Sequence, residues 1–363
     1  MIRLGELVDV SAAVGATRAR NDKVALLAAL LSRAEPDEVA PVTSWLSGEL
    51  TQRQIGVGYA LLRERPEPAA ERTLTVAELE HALASIGALE GAGSVAARRA
   101  AVRALMARAD AAEQEFLLRL LLGDLGQGAL AGVMTDAVAR AAALPAAELR
   151  RAMMLRGDLP AVAAIALRDG RPGLAAIGLQ VGRPLAPMLA GSAGDVSAAL
   201  ARTGPAAVDW KLDGARLQAH RDGSDVALFT RTLDDVTARL PEVVEAVRAL
   251  PLRAVVLDGE AIALRADGRP EPFQVTAARF GTRGARAQPL ASLFFDVLHV
   301  DGDDLLDEPL ARRVAALDAA VAPALRVPRA VAEDPGAAAR AFDAPTPTRM
   351  RARRGRRCAR ASP

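Results

Sequence analysis

Lysine is nearly absent from this chain: of its 46 basic residues only Lys23 and Lys211 are lysine, and the rest are arginine. Cysteine is rarer still, with Cys358 alone, and aromatic residues make up 3% of the sequence. No apolar run approaches the ~18 residues that a bilayer-spanning helix needs. Each scarcity excludes something. A single cysteine rules out an internal disulfide framework and fits a reducing cytosol. The segment from Met1 to Val10 carries acids and no uninterrupted apolar stretch, unlike a secretory signal. The three histidines, His81, His220 and His299, have no paired spacing and no cysteine to join them, so they form no zinc pattern and read as structural or surface residues. The chain is therefore expected in the cytoplasm, away from membranes.

With few aromatics but 51% apolar residues, much of the core must come from alanine and leucine on helices. At 363 residues the chain has ample length for two or three domains. The pI of 9.1 misleads. Arg349, Arg351, Arg353, Arg354, Arg356, Arg357 and Arg360 crowd into the last fifteen residues, and removing those seven from the formal net charge of +2 leaves the remainder at −5. Any surface for nucleic acid on the body must come from where arginines are placed, not from bulk charge.

Residues 1 to about 170 show amphipathic helical periodicity broken by Pro, Gly and Asp, with helices expected over 21–33, 76–89, 94–108 and 111–122 and about ten in all. Thr75 and Glu78 stand at capping-box spacing. Two glycine-bearing segments lead into helices. Trp45 to Leu50 runs on to Gln54–Tyr59, and Leu121 to Gly128 runs on to Val133–Val138. Backbone N–H groups beside a helix start suit phosphate, although ordinary helix-hairpin turns account for both segments from the residues alone. A Gly/Pro-rich connector, Arg168 to Gly173, marks a change of domain. Beyond it the period becomes alternating, with strands expected over 208–211, 217–221, 226–231, 254–264 and 293–300, a hairpin turn at Asp222-Gly223 and a helix over 237–250.

Lys211 lies in Asp209-Trp210-Lys211-Leu212-Asp213-Gly214-Ala215-Arg216. Where arginine has taken nearly every cationic position, a retained lysine suggests chemistry that arginine cannot do: a guanidinium stays protonated, while an amine can lose its proton and attack. Gly214 would let the backbone turn close to a phosphate, and Arg216 would offer a planar fork to an anionic oxygen. A tight turn with a solvated arginine is the plainer alternative. Further along, Arg231 ends a strand, Asp258-Gly259-Glu260 sits inside an apolar strand, and Phe295 lies in the next. Carboxylates inside buried strands are costly unless paired, metal-bound or hydrogen-bonded to a ligand. Glu260 with Asp213 or Asp258 could hold Mg²⁺ or ribose hydroxyls; Asp258 alone reads more simply as a β-turn carboxylate. Phe295 offers a flat face to a purine, or is plain core.

Lys-x-Asp-Gly-x-Arg resembles the first motif of the covalent lysyl-nucleotide transferases, which include DNA ligases, RNA ligases and capping enzymes. Together with Trp45 to Leu50, Gly126-Gln127-Gly128, an expected strand from Gly182 to Leu189 and the later strands, the chain over residues 1 to about 342 resembles an ATP-dependent DNA ligase of the bacterial type. That resemblance implies a multidomain chain: an all-α DNA-binding domain over 1–175, then an antiparallel-rich α+β nucleotidyltransferase (adenylation) domain over 176–343. It implies that Lys211 takes AMP from ATP, with Mg²⁺, and that AMP passes to the 5′-phosphate at a nick in double-stranded DNA. By the same resemblance Asp209 contacts the adenine amino group, Arg216 and Arg231 the ribose or phosphates, Glu260 the ribose and metal, and Phe295 the adenine ring. Asp209 departs from the more usual glutamate. Further implied expectations are a monomer, cytoplasmic and nucleoid-associated, serving DNA repair, replication and recombination.

The pattern then breaks. After Glu260 there is no Glu-Gly pair, and after Lys211 no lysine, so the family's two later anion-gripping motifs are missing. The expectation is an incomplete adenylation domain, an absent OB-fold and an Arg-rich, disordered tail over 344–363, as in a truncated or frame-shifted reading with impaired activity. The competing readings are a non-catalytic DNA-binding remnant and an RNA ligase or capping-type enzyme.

Overall fold

The computed structural model describes residues 1–52, 54–63, 65–127, 131–187, 191–281, 289–343 and 357–360. It divides into two compact units, Met1–Gly178 and Leu179–Pro363. The first is helical, with ten helices among the described residues: α1 (Leu4–Ala16), α2 (Arg20–Leu31), α3 (Pro36–Leu46), α4 (Tyr59–Leu62), α5 (Val76–Gly87), α6 (Ser94–Ala107), α7 (Ala111–Leu121), α8 (Ala131–Ala141), α9 (Ala146–Arg156) and α10 (Leu159–Ala175). Its core is leucine, valine and alanine around Trp45 and Phe116, the two largest fully buried side chains of this unit. The anticipated capping box opens α5: the Glu78 N–H donates to Thr75 Oγ1 at 3.2 Å, and the Thr75 N–H donates back to Glu78 Oε2 at 2.9 Å. A cap of this kind is worth about 1 kcal/mol. Asp110 and Glu113 repeat it on α7.

Three local expectations differ. Trp45 and Leu46 end α3 rather than precede a helix, and Gly48 follows at φ +84, so this segment is a helix C-terminus. The Arg168–Gly173 segment is no loop; it lies within α10, which kinks at Gly170 (φ 61, ψ −146), a backbone state open to glycine. Residues Gly182 to Pro187 form a turn and extended coil rather than a strand, and Met188 and Leu189 lie outside the described residues, as does Gly128.

The second unit opens with α11 (Val196–Thr203) and builds two antiparallel sheets. Five strands, β2 (Ala215–Asp222), β3 (Asp225–Thr230), β4 (Ala254–Ala263), β5 (Leu290–Val300) and β6 (Asp303–Asp304), stand in the order β3-β2-β4-β5-β6. Beside them, β1 (Ala206–Trp210) is flanked by β7 (Arg329–Ala332) and β8 (Arg357–Arg360). Of the tail expected over 344–363, only 357–360 is among the described residues, and it is a strand. The remaining helices are α12 (Pro241–Arg248), α13 (Phe273–Gly281), α14 (Leu310–Ala320) and α15 (Pro335–Asp343). The helix anticipated over 237–250 is split, because Leu240 before Pro241 leaves the helical region (φ −127, ψ 57) and the proline restarts the helix at its first position.

Alternation sorts the large sheet into two faces. Leu217, Ala219, Leu257, Ala261, Phe294 and Val297 pack on α12 and α14 through Val243, Val247 and Leu317. The other face carries Arg216, Gln218, His220, Asp258, Glu260 and Ile262, and it holds the chemistry. Two irregularities in the β4–β5 register, at Val256/Leu257 and Asp258/Gly259, bend this face next to Asp258.

Candidate active site

Lys211 follows β1 directly. Its side chain is 43% exposed, with the ammonium 3.3 Å from Asp213 Oδ1 and 3.5 Å from the Leu212 carbonyl oxygen. It lines an open cleft of about 380 Å³ with Asp213, Gly214 and the loop Pro270-Glu271-Pro272-Phe273. Phe273 stands half exposed on the rim, an aromatic the sequence reading passed over.

Gly214 is required, for a reason the sequence could not supply. A Cβ there would lie 2.4 Å from the Ala261 carbonyl oxygen and 2.7 Å from Glu260 Cγ. The space an added methyl would take is thus filled by β4, and this close approach lets the Gly214 N–H donate to the Glu260 carboxylate. Burial pushes the Glu260 carboxyl up to about 7, against the opposing pull of Lys211, the Gly214 amide and Arg216, with Asp258 pushing the same way as burial. A carboxyl poised there loses its proton readily when a cation arrives.

Asp258 is not a turn residue. It sits mid-strand in β4, buried, opposite Gln218. It grips Arg216 with both oxygens, one at 3.0 Å from Nε and the other bonded to Nη2. The same guanidinium lies 5.8 Å from the centroid of the Phe295 ring. Arg216 is thereby fixed between an acid and an aromatic, which holds its fork in one orientation. Phe295 packs with Leu212, Leu293, Ile262 and Trp210, while its neighbour Phe294 faces the main core. Asp209 is buried in β1, in register with Arg329 of β7 and Cys358 of β8. Arg231 follows the Leu217–Thr230 pair, at the same end of the sheet as Arg216, exposed on a tight loop where Leu233 takes φ +68. The structure thus draws Lys211, Glu260 and Arg216 into mutual electrostatic range, with Phe295 against Arg216.

Among the described residues no group of three or more His, Cys, Asp or Glu could hold a metal ion. With Asp258 committed to Arg216, the carboxylates that remain near Lys211 are Glu260 and Asp213, the latter lining the cleft and paired with the Lys211 ammonium. That fits Mg²⁺, which binds through one or two carboxylates plus phosphate oxygens. No helix among the described residues is long and apolar enough to cross a membrane.

The same face also holds what the sequence reading missed, Gln218 and His220. The Leu185 N–H donates to Gln218 Oε1 at 2.7 Å, and Gln218 Nε2 donates to the Leu185 carbonyl at 3.2 Å. The Gly182 N–H donates to His220 Nδ1 at 3.0 Å, leaving Nε2 to donate to Gln218 Oε1 at 2.9 Å. The available signal was polar residues at every second position of a strand whose remaining residues are apolar, with another chain segment needed to cover them.

The chain as a whole is similar to known proteins. The family described as "ATP dependent DNA ligase domain" matches residues 187–335, and "DNA ligase N terminus" matches residues 57–139. A "Probable DNA ligase" of Mycolicibacterium gilvum is 59% identical over 345 residues, covering 93% of this chain and 68% of that protein. Another, of Mycolicibacterium paratuberculosis, is 56% identical over 351 residues, 94% of this chain and 68% of its own length. The solved ligase domain from M. tuberculosis LigD is 31% identical, covers 42% of this chain and 48% of that one, and has a TM-score of 0.32. The two family matches and the two probable ligases, 59% and 56% identical, converge: this chain belongs to the ATP-dependent DNA ligase family, and by that family it is a ligase enzyme.

Proposed function

We propose that Lys211 is the residue that becomes adenylated, and that the chain seals nicks in duplex DNA through a lysyl-AMP. The observation that carries this reading is an exposed ε-amine on the rim of an open cleft beside Glu260 and Arg216. In the first step the Lys211 ammonium loses one proton to solvent, a bond forms between Nζ and the α-phosphorus of ATP, the bond to the bridging oxygen breaks with its electron pair leaving on pyrophosphate, and a second proton goes to solvent, leaving one N–H on the phosphoramidate. AMP then passes to the 5′-phosphate at the nick, and the 3′-hydroxyl displaces it. Most of the rate comes from positioning and from charge placed where charge develops.

The other residues have roles suited to their surroundings. Arg216, held by Asp258, offers its remaining N–H groups to ribose or phosphate oxygens, and Arg231 does the same from its loop. Phe295 supports the adenine ring, Asp209 takes its amino group, and Glu260 holds the ribose hydroxyls and Mg²⁺. Mg²⁺, when bound, supplies neutralisation of the triphosphate charge. The helical unit grips nicked DNA. The protein works as a monomer in the cytoplasm with the nucleoid, in DNA repair, replication and recombination.

Without a lysine after Lys211 or a Glu-Gly pair after Glu260, this sequence offers the triphosphate fewer cationic contacts than the family's motifs supply. The 363-residue chain is expected to take little label from α-labelled ATP with Mg²⁺, and much more when fused to the remaining third of the M. gilvum relative. Label retained on the fusion after Lys211→Arg would overturn the assignment of the nucleophile.

A further inference from the structure

We infer that the exposed face of α6, carrying Arg99 and Arg103, is a contact surface for the sugar-phosphate backbone of duplex DNA. This rests on the reading that the helical unit grips DNA, and it names the surface. From Ser94 to Ala109 the chain holds Arg98, Arg99, Arg103 and Arg108 and no acid. Arg108, at the end of the helix, is neutralised by Glu78 at 2.6 Å. Arg98 is half-buried: its Nη2 donates to the Leu89 carbonyl at 2.6 Å, and its guanidinium lies against Gly56, where an added Cβ would stand 3.1 Å from Cζ. Arg99 and Arg103 are exposed, and neither has an ion pair or hydrogen bond with any described residue. The flanking acids do not answer them, since Glu90 lies before the Gly91–Gly93 turn and Asp110 is committed to Arg72 and the α7 cap.

Four residues apart, the two arginines are about 6 Å from each other along the helix axis. A like-charge pair at that spacing opposes the helix by about 0.2–0.5 kcal/mol. Exposed arginines elsewhere in the unit meet an acid, as Arg33 meets Glu6, Arg65 meets Glu115 and Arg150 meets Asp136. On α6 the repulsion is left standing, and an external anion relieves it. The surrounding residues say which kind. Ala96, Ala100, Ala104 and Ala107 are the exposed neighbours of Arg99 and Arg103 along this face. Their methyl groups let a partner's backbone come close, while the guanidinium groups reach past them as planar forks that match phosphate oxygens. A protein partner would be anchored by an aromatic or large aliphatic group at the centre of its patch. Between Arg99 and Arg103 the helix has only Ala100, Ala101 and the buried Val102. Two cations held on a rigid rod, with no anchor between them, suit a strand whose charges repeat at regular intervals. Such a contact positions the duplex and is indifferent to its sequence.

The test is an anisotropy titration of a labelled nicked duplex across a range of salt concentrations, using the 363-residue chain, the double variants Arg99→Gln/Arg103→Gln and Arg99→Lys/Arg103→Lys, and a control pair, Arg33→Gln/Arg65→Gln, with thermal melts of each. The α6 glutamine pair is expected to bind about tenfold more weakly, with the slope of log affinity against log salt shallower by about 1.8, the change due to two phosphate contacts. Glutamine matches arginine in helix propensity and removes the repulsion, so Tm should hold or rise. Affinity and Tm falling together would mean that the arginines support the fold, which overturns the surface. The lysine pair should restore most of the slope; failing that, charge is not what α6 supplies and the inference falls. The control pair removes as much charge from arginines already matched by acids and should leave the slope unchanged, whereas a change equal to that of the α6 pair would trace binding to bulk charge and sink the assignment. A parent chain that binds no duplex removes the DNA reading and this inference together. A binding parent whose α6 glutamine pair binds equally well removes only the inference.

Discussion

The two units spend their polar side chains differently. In the helical unit many hold backbone: Lys23, Arg20 and Arg119 take loop carbonyls, Gln127 clamps a helix end, and Thr75 and Asp110 cap helices. On the polar face of the large sheet several also hold one another. Asp258 fixes Arg216, Gln218 meets His220, and Glu260 is left partly uncommitted on a single amide. The first arrangement fixes loops and helix ends. The second sets side chains in place with bonding capacity in reserve, as a group-transfer site requires. Each unit keeps one lysine, and replacing that of the sheet unit tests the contrast. In the fusion described above, Lys211→Arg should lower sealing by more than about 10³-fold. The exposed position should leave thermal stability within about 0.5 kcal/mol. Equal losses of activity and stability would mean that Lys211 supports the fold rather than the chemistry.

The next largest effect concerns pH, and the sheet unit holds two opposed contributors. Burial, and to a lesser extent His299, pushes His220 down to about 4 from its usual 6.5. Its contribution to stability is complete above the unfolded value and is lost as pH falls from 6.5 toward 4, since there the unfolded chain takes a proton that the folded chain refuses. The full loss is on the order of 3 kcal/mol. Glu260 runs the other way. Its raised value, about 7, gives stability that is complete below 4.5 and lost as pH rises through 7. Urea melts without nucleotide or metal between pH 5 and 7 should therefore show a shallow profile in the parent. His220→Gln should leave stability falling with pH, and Glu260→Gln should leave it rising. Parallel curves for all three proteins would mean that neither group is as buried as the structure has it.

Much of this was legible beforehand. The helices and the large sheet's strands follow from periodicity, and Lys211, Gly214, Arg216 and Glu260 from a short motif and a carboxylate set in an apolar strand. What was not legible depended on contacts between distant segments. Asp258 looked like a turn acid because nothing local announces Arg216, 42 residues earlier, as its partner. Gly214 suggested a phosphate because sequence cannot show that Ala261 occupies that space. Gln218 and His220 gave no sign of binding Leu185 and Gly182, since hydrogen bonds to backbone leave no mark on the identity of the partner residue.

Glycine makes the smallest and sharpest comparison, because each unit has one under a different constraint. Gly214 in the sheet unit is limited by space, and Gly126 in the helical unit by backbone angle, with only Asp124 Oδ1 within 4.0 Å of an added Cβ. Gly214→Ala should cost about 2 kcal/mol, because backbone has to move apart between β4 and the start of β2. Separating the Gly214 amide from Glu260 should also remove adenylation of the fusion. Gly126→Ala should cost about 1 kcal/mol, the strain of a left-handed alanine, and should leave label transfer from ATP unaltered. Gly126→Asn separates angle from contact: asparagine tolerates the left-handed region, so it should regain most of the lost stability. At position 214 asparagine should be worse than alanine, because the obstacle there is the Ala261 carbonyl. If asparagine rescued both positions, the close approach of β4 would not be what demands a glycine at 214.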